Sequence, residues 1–198
     1  MGSLFTSFNI QEVVHCAGSL SYHDETSLQA GNIDLTRSLV KSARNAGAQR
    51  FTYVPTAFAS GLMDGPVPEI LFDGGRSDPA AYMRSKREAE WIVAESGIPY
   101  LILRPAIVIG DSRDGRYPGK PFALYRVWHS AERFATHRYM PVIHAIAPKI
   151  PLQVVHQDAF QLALLAAFRR KSSRTPYCPR PLGPVAHGLG STRRDPLL

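Results

Sequence analysis

The sequence predicts an α/β fold in which helices cover both faces of a parallel sheet. Short apolar runs rich in β-branched residues alternate with longer segments of helical periodicity, the strand–helix–strand order that such sheets require. At 198 residues and 44% hydrophobic content, the chain is long enough for one domain with a sizeable core and too short for two typical ones.

The first strand and helix are predicted between residues 12 and 47. Residues 12 to 17, EVVHCA, form an apolar run that ends in small residues, as a buried parallel strand does. In residues 27 to 47 a stripe recurs at three- and four-residue intervals, and Gly47 follows as a C-terminal stop. The stripe consists of Leu28, Asn32, Leu35, Leu39 and Ala43.

The same pattern then continues. RFTYVPT at residues 50 to 56 predicts a second strand, and a loop rich in glycine and proline follows it. Residues 80 to 96 predict a helix that stops at Gly97. YLILRPAIVIG at residues 100 to 110 predicts a third strand, interrupted at Pro105.

The last part of the chain has weaker signals. A polar loop at residues 111 to 121 precedes an amphipathic helix at 122 to 134, and a strand at 150 to 155 precedes a helix at 159 to 168. From residue 171 to 198 the composition shifts to proline and arginine without hydrophobic periodicity, which predicts a disordered tail.

Composition and charge exclude several classes of function. The formal net charge is +7, but more than half of it lies in the tail, so it indicates no nucleic-acid partner. No apolar run could span a membrane and no secretory leader is recognisable, which predicts a cytoplasmic protein. Cys16 and Cys178 suit a reducing compartment, and the seven histidines are too scattered to predict a metal site.

The segment AYMRSKREAEW, residues 81 to 91, places Tyr82 four positions before Lys86, so a helix brings both side chains to one face. A tyrosine is a poor acid or base at neutral pH, since its ordinary pKa is about 10. A nearby ammonium group would stabilise the phenolate and lower that pKa. The same spacing also occurs by chance on surface helices, so the pair alone leaves both interpretations open.

Three other features fall at the carboxyl ends of predicted strands or on the helices that follow, where α/β sheets bind ligands. HCAG ends in Ala17 and Gly18, which either let a flat ligand approach the backbone or form a tight turn. Asn32 is either functional or a buried, hydrogen-bonded asparagine. Thr56 could donate to a substrate carbonyl or cap a turn.

Taken together, these motifs resemble the extended short-chain dehydrogenase/reductase family, which includes the NAD-dependent epimerases and dehydratases. The resemblance rests on HCAG, NIDLT at 32 to 36, Thr56 placed 26 residues before Tyr82, and LRPAIVIG after the next strand. VVHCAGSLSY, FTYVPTAFASG, YMRSKREAEWIV, ILRPAIVIGDSRDG and RYPGKPFALYRVW are similar to the branch of thioester reductases and male-sterility fatty acyl reductases. It covers roughly residues 10 to 165.

The resemblance implies a Rossmann-like, doubly wound parallel sheet over residues 1 to 170 that binds NADP or NAD. It implies an oxidoreductase that reduces a small-molecule carbonyl or acyl thioester. It is also compatible with a homodimer. The implied catalytic residues are Tyr82 as general acid, Lys86 to lower its pKa and hold the nicotinamide ribose, Thr56 on the substrate oxygen, and Asn32 in a water relay. The implied cofactor contacts are Tyr82, Lys86, Ala17, Gly18, Pro105 and Val108. The segment 111 to 150, with Tyr125, Trp128 and His129, falls where the family builds its substrate pocket.

The sequence departs from this family at its start. The family opens with a strand, a glycine-rich G-x-x-G-x-x-G turn and a helix that binds the pyrophosphate, whereas EVVHCA already matches its fourth strand. We therefore expect an incomplete sheet that lacks the first strands and the glycine-rich turn, in an N-terminally truncated chain. GLGST at 188 to 192 follows no strand and is a poor substitute. Leu35 and Pro55 replace a family glycine and serine, respectively.

Two other functions remain open. A nucleotide-sugar epimerase or dehydratase uses the same tyrosine, lysine and threonine. A catalytically inactive fragment or a module that only senses dinucleotides is the other alternative, although such modules commonly lack the tyrosine and lysine that this sequence keeps.

Overall fold

A parallel sheet forms the centre of the computed structural model, which describes residues 5, 7–61, 63, 67–73, 78–119, 124–135, 152–169 and 175–177. Its strands are β1 (Glu12–His15), β2 (Arg50–Tyr53), β3 (Tyr100–Leu103) and β6 (Thr175–Tyr177). They pair in the order β1-β2-β3-β6, all parallel. Two further strands, β4 (Ile107–Ile109) and β5 (Val154–His156), form a separate parallel pair.

The described residues form five α-helices. They are α1 (Glu25–Leu28), α2 (Leu35–Asn45), α3 (Ala81–Ala94), α4 (Leu124–Ala135) and α5 (Gln157–Arg169). A π-helical turn, Gln29–Asp34, joins α1 to α2, and a 3₁₀ turn, Ala57–Ser60, follows β2. No helix in these ranges is long and apolar enough to cross a bilayer.

Local signals explain where the helices begin and end. Asp24 caps α1 by accepting a hydrogen bond from the Ser27 amide at 3.1 Å. Gly47 follows α2 with φ of 72° and Gly97 follows α3 with φ of 76°, the left-handed conformation that favours glycine after a helix.

Helices lie on both faces of the sheet, as predicted. Phe51 and Tyr53 of β2 and Ile102 of β3 are fully or almost fully buried in a core shared with residues of α2 and α3. Arg50 alternates to the opposite face, where its guanidinium donates to the Phe168 carbonyl of α5 at 3.0 Å. The α/β fold with parallel strands is confirmed.

One expectation about the later strands needs correction. The predicted strand at 100 to 110 is two strands in different sheets, because Pro105 lacks an amide donor and the chain leaves β3 before it pairs with β5. Within the tail predicted to be disordered or poorly packed, Thr175–Tyr177 pairs in parallel with β3. The other tail residues, and residues 136 to 150, lie outside the described residues.

Candidate active site

The carboxyl ends of β1 and β2 and the start of α3 bring Thr56 and Tyr82 together. The Thr56 hydroxyl caps the 3₁₀ turn by accepting a bond from the Phe58 amide at 3.4 Å. A hydrogen bond between the Thr56 and Tyr82 side chains lowers the pKa of Tyr82. Both side chains are buried, with 7% and 8% of their surface exposed. The turn cap and the functional position predicted for Thr56 are therefore compatible.

Lys86 lies one helical turn after Tyr82 in α3. Its Nζ atom is 5.7 Å from the centre of the Tyr82 ring, and only 3% of the residue is exposed. No acidic side chain of the described residues forms an ion pair with it. Burial therefore lowers the pKa of Lys86 to about 8, and the nearby Cys16 thiol opposes this effect.

The pKa of Tyr82 is dominated by burial. Burial raises it to about 12, the neighbouring Tyr22 raises it further, and the hydrogen bond with Thr56 lowers it. Burial is the largest of these effects, and the Lys86 ammonium group lies beside the ring. A lowering of this pKa by Lys86 stays a prediction.

Asn32 is fully buried in the π-helical turn and connects three elements. Its Oδ1 accepts from the Ser19 amide at 2.8 Å, and its Nδ2 donates to the Ser19 carbonyl at 3.3 Å. Nδ2 also donates to the Ser85 hydroxyl at 2.9 Å. Asn32 therefore joins the loop after β1 to helix α3, next to Lys86.

Gly18 is required by the packing of Lys86 and Asn32. A Cβ atom at this position would lie 2.5 Å from Asn32 Oδ1 and even closer to Lys86 Nζ. The absence of a side chain at Gly18 thus leaves space for both polar groups. The backbone of Ala17 and Gly18 is also exposed, as a ligand contact requires.

A second chain of hydrogen bonds supports Asn32 from β1. The Thr36 hydroxyl donates to the Asn32 carbonyl at 2.5 Å, and His15 Nε2 lies 2.8 Å from the same hydroxyl. Since the single hydroxyl proton is used, His15 donates from Nε2 to the Thr36 hydroxyl. Burial lowers the pKa of His15 to about 4, and the charge of Lys86 lowers it further.

The helix that carries Tyr82 and Lys86 is anchored by buried charges that sequence reasoning missed. Arg87 donates to the Ala59 carbonyl at 2.8 Å, just after Thr56, and pairs with Asp78. Arg104 donates to both carboxylate oxygens of Glu90 at 2.8 and 2.7 Å. Arg87 directly follows Lys86, and Arg104 lies within the motif LRPAIVIG. No spacing rule in the sequence identifies their partners, which lie in separate elements.

The remaining predicted cofactor contacts lie close to this edge of the sheet. The Pro105 carbonyl accepts from the Ala57 amide at 2.7 Å, which places Pro105 next to the turn that Thr56 caps. Val108 is half-buried in β4, paired in register with Val155. No hydrogen bond among the described residues joins Val108 to Tyr82 or Lys86.

Of Tyr125, Trp128 and His129 in the predicted substrate segment, Tyr125 contacts the residue at the start of the loop after β4. Its hydroxyl accepts from the Gly110 amide at 2.6 Å, and its ring stacks on Tyr117 at 4.3 Å. Trp128 and His129 both contact the exposed Glu132, at 2.7 and 3.2 Å. The described part of the segment therefore does not bring Trp128 or His129 to Tyr82.

The described residues contain no group of three or more histidine, cysteine or acidic side chains that could hold a metal ion. His156 has a structural role, since its Nδ1 bonds the Gly110 carbonyl at 2.9 Å. His137, His144 and His187 lie outside the described residues.

The parallel α/β sheet, with Thr56 after β2 and Tyr82 and Lys86 on α3, agrees with the extended short-chain dehydrogenase/reductase family. The family model described as male sterility protein matches residues 5–158. The chain belongs to this family of NAD-binding enzymes. The comparison with curated proteins found no match.

Solved structures share the fold at low sequence identity. The terminal R domain from the myxalamid PKS-NRPS biosynthetic pathway is 22% identical with a TM-score of 0.71, over 89% of this chain and 45% of that chain. UDP-glucuronic acid 4-epimerase from Bacillus cereus, in complex with UDP-glucuronic acid and NAD, is 18% identical with a TM-score of 0.69, over 89% and 55%. The enzyme WbmG from Bordetella bronchiseptica, in complex with NAD and UDP, is 18% identical with a TM-score of 0.67, over 89% and 52%. The chain therefore spans about half the length of these proteins.

Proposed function

We propose that this chain carries the acid–base centre of an NAD(P)-dependent reductase that acts on a carbonyl or acyl thioester. The observation that supports it most is Lys86, a buried ammonium group beside Tyr82 with no carboxylate partner in the described residues. Burying an unpaired charge costs stability, so a purely structural role gives no reason for it.

The surroundings of Lys86 fit the nicotinamide end of a dinucleotide. An ammonium group donates three hydrogen bonds and can hold ribose hydroxyls. Next to it, Ala17 and Gly18 offer exposed backbone, and Pro105 and Val108 would add apolar contacts. The sequence has no G-x-x-G-x-x-G turn, so these residues fit the nicotinamide end and not the pyrophosphate. When bound, the reduced dinucleotide supplies the hydride.

The side chains would then divide the proton chemistry among them. The Thr56 hydroxyl would hold the substrate oxygen, and Tyr82 would donate its proton to that oxygen. A pKa of about 12 keeps Tyr82 protonated at neutral pH, as a proton donor must be. Lys86, with a pKa of about 8, remains largely charged at neutral pH and would stabilise the phenolate that forms. Asn32, fixed by Ser19 and Ser85, would bond the ammonium.

The experiment is a hydride-transfer assay of the full chain with NADH and NADPH. We expect oxidation of one dinucleotide with an acyl thioester or aldehyde, and a loss of roughly 10²-fold or more in kcat in Thr56→Ala. Ser60→Ala, which removes a buried hydroxyl from the same turn, is the control. Conversion of nucleotide sugars without net dinucleotide oxidation would instead identify an epimerase or dehydratase.

A further inference from the structure

Ser85 occupies a position in α3 between the two proposed catalytic side chains, and its hydroxyl is buried. Its Oγ donates to the Tyr82 carbonyl at 2.8 Å and lies 2.9 Å from Asn32 Nδ2. A serine hydroxyl has one proton, which this carbonyl takes. Toward Asn32, Ser85 is therefore an acceptor, and the Asn32 amide must present its NH₂ group to it.

Ser19 imposes the same orientation independently. Its amide donates to Asn32 Oδ1 at 2.8 Å and its carbonyl accepts from Nδ2 at 3.3 Å. Both N–H groups of Asn32 are thus used, and Oδ1 retains one lone pair. The hydrogen bonds from the loop after β1 and from helix α3 therefore require the same orientation of the Asn32 amide.

The oxygen end faces Lys86. A Cβ atom built on Gly18 would lie 2.5 Å from Asn32 Oδ1 and would clash with Lys86 Nζ as well. The two polar atoms consequently border the same small space beside Gly18. A carbonyl dipole in this orientation stabilises an ammonium group, and a rotated amide would repel it.

We propose that Ser85 is a positioning residue that holds the Asn32 amide with Oδ1 toward the Lys86 ammonium group. Lys86 is thereby kept charged and in place beside Tyr82. The importance of this arrangement for catalysis rests on the proposed function, but the interaction itself can be measured without substrate or dinucleotide. Its failure is therefore distinguishable from a failure of the proposed reductase.

The test is the titration of Lys86 by NMR in chain labelled with [¹³C]lysine, with its Cε signal assigned by Lys86→Arg. The titratable groups that face Lys86 are His15 and Cys16 from β1 and its following loop, and Tyr82 from α3. Ser85→Ala is expected to lower the pKa of Lys86 by roughly 0.5–1 unit, since the amide loses one of its constraints. Ser85→Thr should restore it, because a threonine hydroxyl can also bond the carbonyl three residues earlier.

Ser60→Ala is the matched control, since the Ser60 hydroxyl is also buried and bonds two backbone carbonyls but does not contact Asn32. It should leave the titration of Lys86 unchanged. Should Ser85→Ala not fold, Ser85→Cys gives the same comparison with a weaker hydrogen-bonding group. An unchanged Lys86 titration in the folded Ser85 variants, or an equal shift in Ser60→Ala, would overturn the proposal.

Discussion

Lys86 Nζ lies 5.7 Å from the centre of the Tyr82 ring, one helical turn away, and no acidic side chain of the described residues pairs with it. A buried lysine in this state is unfavourable for folding. Its burial lowers the pKa to about 8, below the ordinary value of 10.5. The residue therefore has the properties of a group kept for chemistry at the expense of stability.

Replacing this lysine is expected to stabilise the fold. At pH 7 the ammonium group is charged in both the folded and the unfolded state, so the full cost of its burial applies. Lys86→Met should raise the free energy of unfolding by roughly 1–3 kcal/mol, the size set by the shift in pKa. Urea denaturation at pH 7 measures this difference.

The pH dependence provides the control for Lys86→Met. Between pH 8 and 10.5 the folded state releases the proton while the unfolded state keeps it, so the native chain gains stability with rising pH. The advantage of Lys86→Met should therefore shrink across this window. Lys41→Met, at an exposed position of α2, should show neither effect. A destabilised Lys86→Met would contradict this account.

His15 should make stability depend on pH on the acidic side. Its pKa is lowered from 6.5 to about 4, so between these values the unfolded state binds a proton that the folded state does not. Stability is fully present above pH 6.5 and falls toward pH 4, by roughly 1–3 kcal/mol. Thermal unfolding across this range should show a smaller decline in His15→Asn. The exposed His129→Asn should retain the native decline.

Breaking the buried pair of Glu90 and Arg104 should destabilise the fold strongly. Their side chains are 0% and 1% exposed, so Glu90→Gln leaves a buried guanidinium without its counter-charge. We expect a loss of about 3 kcal/mol in the free energy of unfolding, measured by urea denaturation. Asp34→Asn, which breaks the exposed pair with Arg37, should cost less than ~1 kcal/mol. Similar losses in the free energy of unfolding for Glu90→Gln and Asp34→Asn would contradict this prediction, because it attributes the larger loss to burial.

Most of the fold could be predicted because the spacing of apolar residues along the sequence indicates which positions are buried. The strands at Glu12–His15 and Arg50–Tyr53 and the helix Ala81–Ala94 lie where alternating apolar runs and helical stripes placed them. Pro105 was recognised as an interruption, but the change of sheet after it depends on pairing between β4 and β5, whose partner residues, such as Ile107 and Val154, are 47 positions apart. Pairing between distant strands leaves no local signal.

The sequence pointed to the candidate site residues themselves, but not to the buried ion pairs that hold their helix in place. The segment Tyr82 to Trp91 has the composition of a charged surface helix, yet Lys86, Arg87 and Glu90 are buried. Their partners, or the packing that buries them, come from other elements, which a single sequence does not reveal. The burial that raises the pKa of Tyr82 could not be judged from the four-residue spacing either.

The most direct test of the account is the rate of carbonyl reduction by Tyr82→Phe, with NADPH or NADH and the substrate that the native chain accepts. The account predicts a loss of about 10²–10⁴-fold in kcat, because the proton donor is removed while its ring and packing remain. Tyr100→Phe, at the opposite end of β3, should keep native activity. Full carbonyl reduction by a folded Tyr82→Phe would contradict the central claim that Tyr82 is the general acid.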